Sequence, residues 1–185
     1  KRFVLLGTGK LLDASDVNTK APQSFYAIVD GTAGGFNAVT APITRSQLTK
    51  VEDVLKGISL SNTSPGWYLD LGVDTGVGWR LVSSPAAFNG IVAFSSLLTT
   101  GDACSPSGQS RVYAINYGTG RSVLLPSGTA YQSFPSAVTD LRFVSVDGST
   151  RIVVGTDGKP VPVKADLSKG ISLRLLNWRE VPAVN

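Results

Sequence analysis

Hydrophobic and polar residues alternate with a period of two along much of this chain. In Gly66 to Leu71, GWYLDL, the side chains of Trp67, Leu69 and Leu71 fall on one side, and Tyr68 and Asp70 on the other. That is the pattern of a half-buried strand. A Gly-rich turn from Gly72 to Gly78, holding Asp74, leads to a second strand, Trp79 to Ser83, which Pro85 ends. Asn89-Gly90 then supplies the positive φ angles of a tight hairpin turn before Ile91-Val92-Ala93-Phe94. Three strands joined by short turns predict one antiparallel sheet across residues 66–98, and the chain reads as organised around it.

The same reading extends outward. Arg2 to Gly7 is a short apolar run closed by Gly-Thr-Gly-Lys and reads as a buried strand ending in a turn, and Ser24 to Asp30 is a strand of aromatic and β-branched residues ended by Gly31 to Gly35. Thr44 to Leu60 is open: Val51, Val54, Leu55 and Ile58 fit a helical period, while Gln47 to Val51 fits an edge strand equally well. Thr99 to Ser110, polar and holding Cys104 and Pro106, reads as a loop, as does Pro126 to Pro135. Further strands are predicted at Arg111 to Tyr117, Arg121 to Leu125, Val138 to Val146, Arg151 to Val154, Val161 to Val163 and Ser172 to Glu180. Their turns fall at Gly118 to Gly120, Asp147-Gly148 and Thr156 to Gly158. With about a dozen strands and a turn signal roughly every 8–12 residues, the fold class is all-β.

An internal repeat sharpens that class. Phe25-Tyr-Ala-Ile-Val-Asp-Gly-Thr32 and Val112-Tyr-Ala-Ile-Asn-Tyr-Gly-Thr119 share Tyr-Ala-Ile, two variable residues and Gly-Thr. Each copy follows an apolar strand at nearly the same spacing, Phe3 to Leu6 in one and Ile91 to Phe94 in the other. Ile152-Val-Val-Gly-Thr-Asp-Gly-Lys159 echoes Val4 to Lys10 as a third, partial copy. Repeated strand units are the mark of propellers and solenoids. Propeller blades are four-stranded sheets of about 40–50 residues, so a dozen strands make about three blades, too few to close a ring. The expectation is a chain that forms an arc of a larger β-propeller, its exposed flank paired with further sequence. A self-contained β-sandwich is the competing fold and leaves the repeat unexplained.

Composition narrows the function. The chain has 185 residues, enough for one domain with a real core, and its 42% hydrophobic and 16% charged residues are those of a globular protein. Its 17 basic and 13 acidic residues give +4, but the basic ones are scattered and form no stripe that would track phosphates. No nucleic acid is expected as a partner. No apolar run approaches the roughly 18 residues of a membrane span. The chain opens on Lys1 and holds no Met, as expected of a piece of a longer, processed protein.

Candidate chemistry is sparse. With no His, the usual triads and imidazole metal sites are excluded, and the one cysteine, Cys104, has no imidazole to activate it. Lys10 after Gly9 lacks the spacing of a phosphate loop. Asp13-Ala-Ser-Asp-Val-Asn18 is rich in oxygen ligands, but its spacing is not that of a calcium loop, and turn stabilisation is the favoured role. Asn62-Thr-Ser64 matches a glycosylation sequon. A carboxylate pair for glycoside hydrolysis would have to come from Asp30, Asp70, Asp74, Asp102, Asp140, Asp147 and Asp157, which mostly sit in or beside turns. Trp67, Trp79 and Trp178 read as core residues rather than a stacking platform. No catalytic, cofactor-binding or metal-ligating residue is assigned, and the residues themselves point to a binding or structural module.

Taken in order, FVLLGTGKLLDASDVNTKAPQSFYAIVDG, GWYLDLG, GWRLVSSP, GIVAFSSLLTTGDACSPSGQSRVYAINYGTGR and LNWREV resemble the PilY/PilC family of type IV pilus biogenesis proteins. The specific points are the exit near Lys10, Ser24 to Ile28, the loop Asp102 to Gly108 and the terminal Trp178-Arg-Glu180. The resemblance covers essentially the whole chain. It implies that residues 1–185 are the C-terminal part of a modified β-propeller in a large exported protein. The location would be the periplasm, the outer membrane or the pilus tip. The work would be pilus assembly, opposition to retraction and adhesion, with twitching motility depending on it. Partners would be the rest of the propeller, pilus proteins such as minor pilins, and a receptor of unknown identity. The family's calcium loop would lie upstream, so no cofactor or metal is expected within these residues. Two other functions stay open: a quinoprotein-like or sugar-processing propeller enzyme, and a passive outer-membrane scaffold.

Overall fold

The computed structural model describes residues 2–11, 13–30, 42–72, 78–101 and 106–170. The expected strand at 172–180 and the positions of Gly31 to Gly35, Asp74, Asp102, Cys104 and Trp178 lie outside them. The described residues are all-β and form three open sheets that follow one another along the chain.

The first sheet pairs β1 (Arg2–Gly7), β2 (Ser24–Asp30), β4 (Gly66–Asp70) and β3 (Thr49–Lys50) in the order β1-β2-β4-β3, with only β3 parallel to its neighbour. The middle sheet is built on a long hairpin of β7 (Ile91–Gly101) and β8 (Pro106–Asn116). Around it lie β5 (Trp79–Arg80) and β6 (Ala86–Phe88) on β7, and β9 (Arg121–Ser122) and β10 (Gln132–Phe134) on β8. The third sheet is a meander of β11 (Val138–Val146), β12 (Ser149–Thr156) and β13 (Lys159–Val163). Its turns are two-residue Asp-Gly loops with both φ angles positive, at Asp147-Gly148 and Asp157-Gly158, the backbone that matches strand twist.

Two apolar layers hold the sheets face to face. One joins the inner face of the first sheet (Phe25, Ala27, Trp67, Leu69) to Val92, Phe94, Tyr113 and Ile115 of the middle sheet. The other joins the opposite face of the middle sheet (Ile91, Ala93, Val112, Ala114) to Leu141, Ile152, Val154 and Val163 of the third. The uninterrupted apolar run Ile91 to Phe94 follows from this, since both sides of β7 are dry. A two-layer sandwich is therefore not the arrangement: the middle sheet has a sheet on each side.

Several expectations need correcting. Residues 66–98 do not form one sheet. The two edges of β4 are taken by β2 and β3, so β5 is left to pair with β7 in the next sheet. The polar segment 99–110 is not a loop but the far end of the β7–β8 hairpin, paired through Gly101 opposite Pro106. Its polar residues are not all exposed: Ser110 is buried, and its hydroxyl accepts from Val138 N (2.9 Å). Thr44 to Leu60 holds neither a helix nor a long strand, only a short 3-10 turn at Arg45–Gln47 and the two residues of β3. The strand β10 falls inside the expected loop 126–135.

The connection between β1 and β2 is fastened to the middle sheet by one buried cation. Arg80, 3% exposed, donates from Nη1 to the carbonyls of Lys10 (2.9 Å) and Asp16, from Nη2 to Thr19 O (2.7 Å) and from Nε to Gly78 O (3.2 Å). A guanidinium presents its donors in a fixed fork, so a single residue satisfies carbonyls from both segments.

Candidate functional site

The outer face of the first sheet carries the most developed surface chemistry among the described residues. Pairing aligns the rows. Leu6 lies opposite Tyr26, Tyr26 opposite Tyr68, and Tyr68 opposite Lys50. The next row holds Val4 and Ile28, and a third holds Ser24 and Asp70. Because side chains alternate across a strand, burying Phe25, Ala27, Trp67 and Leu69 inward places all of these outward. Val4 is 49% exposed and Leu6 37%.

The polar end of this face is organised by Arg45. Its 3-10 turn is capped by the Gln47 side chain, whose Oε1 accepts from Thr44 N (2.7 Å) and so reaches back to the start of the turn. From there Arg45 reaches over the sheet, its guanidinium 3.9 Å from the ring centre of Tyr68. Nη1 donates to Ser24 Oγ (2.8 Å) and Tyr26 Oη (2.7 Å), and Nη2 donates to Asp70 Oδ1. Ser24 Oγ donates to the same carboxylate (2.6 Å). Lys50 sits 3.9 Å from its other oxygen and 2.8 Å from Glu52.

Partial burial pushes the Asp70 carboxyl up, but the Ser24 hydroxyl and the Arg45 guanidinium outweigh it and hold the group below the usual carboxylate range. The same ion pair raises Arg45, against its own partial burial. The result is an aliphatic stripe with a cation stacked on tyrosine at one end.

The other sequence candidates are placed as follows. Asp13 caps the short 3-10 turn Ala14–Asn18, its Oδ1 accepting from Ser15 N (2.8 Å). Asp16 is buried and pairs with Lys10 (3.2 Å). The protein's own ammonium thus serves this loop, whose oxygens stabilise a turn as expected. Among the described residues no three His, Cys, Asp or Glu are grouped to hold a metal ion. Asp140 pairs with Arg142 (2.8 Å), and Asp147 and Asp157 are turn residues. Trp67 is wholly buried, with its indole N–H on Tyr117 O (2.7 Å), and Trp79 is buried against Arg111. Both are core residues. Asn62 lies exposed in its turn. The residue that sequence reading missed is Arg45, which sits in the one segment without a decisive period.

Elsewhere a concavity of about 650 Å³ is lined by Lys56, Arg121, Lys169, Asn116 and their neighbours. Two of its cations are already paired, Lys56 with Asp53 (3.7 Å) and Lys169 with Asp166 (3.4 Å).

Fold and site together define a chain of stacked open β-sheets whose best-formed surface is a sheet face rather than a cleft. Along 98% of its length the chain is 25% identical to the type IV pilus biogenesis factor PilY1 homolog of Xylella fastidiosa (strain Temecula1). It spans 16% of that protein. No family profile and no solved structure matches the chain. No helix among the described residues is long and apolar enough to cross a membrane.

Proposed function

We propose that the chain is a binding and assembly module of a type IV pilus apparatus, exported to the periplasm, outer membrane or pilus tip, and performing no reaction of its own. The observation that carries this reading is the likeness to a pilus biogenesis factor along almost the whole chain. The three sheets are read as consecutive blades of a β-propeller, completed by other segments of the same polypeptide. A middle sheet covered on both faces supports this, since that is the environment of a blade within a ring. Its partners would be other pilus proteins, minor pilins among them, and a surface receptor.

The test is deletion of the gene in its own host, followed by complementation. The expected result is loss of surface pili, twitching and attachment, each restored by the intact gene. Normal piliation and twitching in the deletion strain would overturn the reading. Quinone-dependent redox turnover or glycan cleavage by the purified protein would overturn its non-enzymatic part.

A further inference from the structure

The concavity that holds Lys56, Arg121 and Lys169 lies where separate stretches of chain meet, and hydrogen bonds fix each of them. The loop after β3 is tied to the start of β9: Ile58 N donates to Thr119 O (2.7 Å) and Ser122 N to Val54 O (2.7 Å). The approach is close enough that a Cβ at Gly57 would stand 2.6 Å from Thr119 O and 2.9 Å from Arg121 Cβ. From the other side, Asn116 Nδ2 donates to Lys169 O (2.8 Å) and Asp166 N to Val123 O (2.8 Å). The hollow between them is part of the folded framework, and its volume of about 650 Å³ is that of a small-molecule site.

The polar groups lining the hollow fall into two sets. Asn116 and Ser122 hold the fold: Asn116 Oδ1 accepts from Gly118 N (2.9 Å), and Ser122 Oγ donates to Thr129 O (2.7 Å). The Arg121 guanidinium and the hydroxyls of Thr119 and Ser127 are exposed and have no hydrogen-bond or ion-pair partner among the described residues. The charges divide in the same way. Lys56 is neutralised by Asp53 and Lys169 by Asp166, which leaves Arg121 as the one uncompensated cation of the lining. Leu55, Ile58, Val123 and Leu124 give the hollow an apolar side.

We propose that this hollow is a binding site for an acidic sugar, a hexuronate, with the sugar carboxylate on Arg121 and its hydroxyls on Thr119 and Ser127. A guanidinium offers two parallel N–H donors that match a carboxylate. One uncompensated cation balances one carboxylate. A phosphate group, with about two negative charges at pH 7, would have to draw a lysine away from Asp53 or Asp166. Hydroxyls that both donate and accept match the hydroxyls of a sugar ring, whereas an apolar carboxylate would leave Thr119 and Ser127 unmatched. The apolar side of the hollow takes the C–H face of the ring. The inference does not rest on the pilus reading, and its failure would leave that reading where it stands.

The test is calorimetric titration of the whole polypeptide, as its host makes it, with D-glucuronate, glucose and inorganic phosphate. Glucuronate should bind saturably, and glucose and phosphate at least about tenfold more weakly. Arg121→Gln should weaken glucuronate at least about tenfold, with Arg121→Lys between the two. Because Arg121 is exposed and unpartnered, its urea midpoint should not move, which separates lost binding from lost folding. Arg151→Gln, an exposed arginine on β12 that does not line the hollow, should bind as the wild type does. Methyl β-D-glucuronide separates two sources of the same group: equal binding supports a unit carried on a glycan, and lost binding supports the free acid. No saturation by glucuronate up to about 10 mM overturns the proposal. So does an Arg121→Gln variant with unchanged affinity, or glucose or phosphate binding as tightly as glucuronate.

Discussion

Val92, Phe94, Tyr113 and Ile115 lie on one face of the middle sheet, and Val4, Leu6, Tyr26 and Ile28 lie on the matching face of the first. The two sets are chemically alike, yet the first set is packed on Phe25, Ala27, Trp67 and Leu69 and the second is not. What a strand contributes to stability is set by what its face meets, not by its residues alone. Phe94 shows how far this goes. Its ring stacks on Phe25 at 4.0 Å, nearly parallel, and on Tyr113 at 4.9 Å, so a column of aromatic rings crosses from one sheet to the next.

The largest test of the comparison removes that column. Phe94→Ala is expected to cost about 3–5 kcal/mol in urea unfolding, whereas Leu6→Ala at the equivalent position should cost less than about 1 kcal/mol in the 185-residue chain. A Leu6→Ala cost that rises severalfold in a longer polypeptide would show that the open face has been covered there. Equal costs in the short chain would break the comparison.

Next comes the pair of stacked arginines. Arg111→Met removes a buried cation lying 4.2 Å from Trp79 and 4.0 Å from Tyr131, and should destabilise by about 2–3 kcal/mol. Arg45→Met, at a half-exposed position, should cost about 1 kcal/mol. Urea midpoints of the two variants measure the difference directly.

A smaller effect follows from acid titration of the open face. Asp70 titrates below its ordinary value in the folded chain because Ser24 and Arg45 favour its charged form. Its contribution is therefore fully present above the unfolded carboxylate pKa and is lost as pH falls through the folded one. For a partly exposed pair this amounts to about 1 kcal/mol. Asp70→Asn should lower stability at pH 7 and flatten the decline below about pH 4, read from urea midpoints at each pH. A variant that keeps the wild-type slope would remove Asp70 from the account.

The smallest expected change is at Val144 on the outer face of the third sheet, where Val144→Thr should stay within about 0.5 kcal/mol in thermal unfolding. A larger loss would mean that this face, too, is covered in the chain as it stands.

Local pattern was enough for much of the fold. The strands Arg2–Gly7, Ser24–Asp30 and Val138–Val146 lie where the pattern predicts strands, but Arg2–Gly7 is not the buried strand its apolar run suggests, because Val4 and Leu6 face outward and stay exposed. The hairpin turns at Asn89-Gly90, Asp147-Gly148 and Asp157-Gly158 adopt positive φ because those residue pairs tolerate it. Even the repeat survives as a shared register, since side-chain period and pairing are the same fact seen twice. Membership of a sheet was not legible in the same way. That GWYLDL pairs with β2 rather than with Trp79-Arg80 depends on which edge of β4 is free, and hydrogen bonds between distant segments decide that. Arg45 and Arg80 were invisible for the same reason: each acts on groups far away in the chain, Arg45 on Asp70 and Arg80 on Lys10 and Thr19. A period-two pattern says that a face is apolar, because alternation is imposed by the backbone itself. Only the packed chain says which of two like faces is covered, because that depends on which other sheet lies within reach.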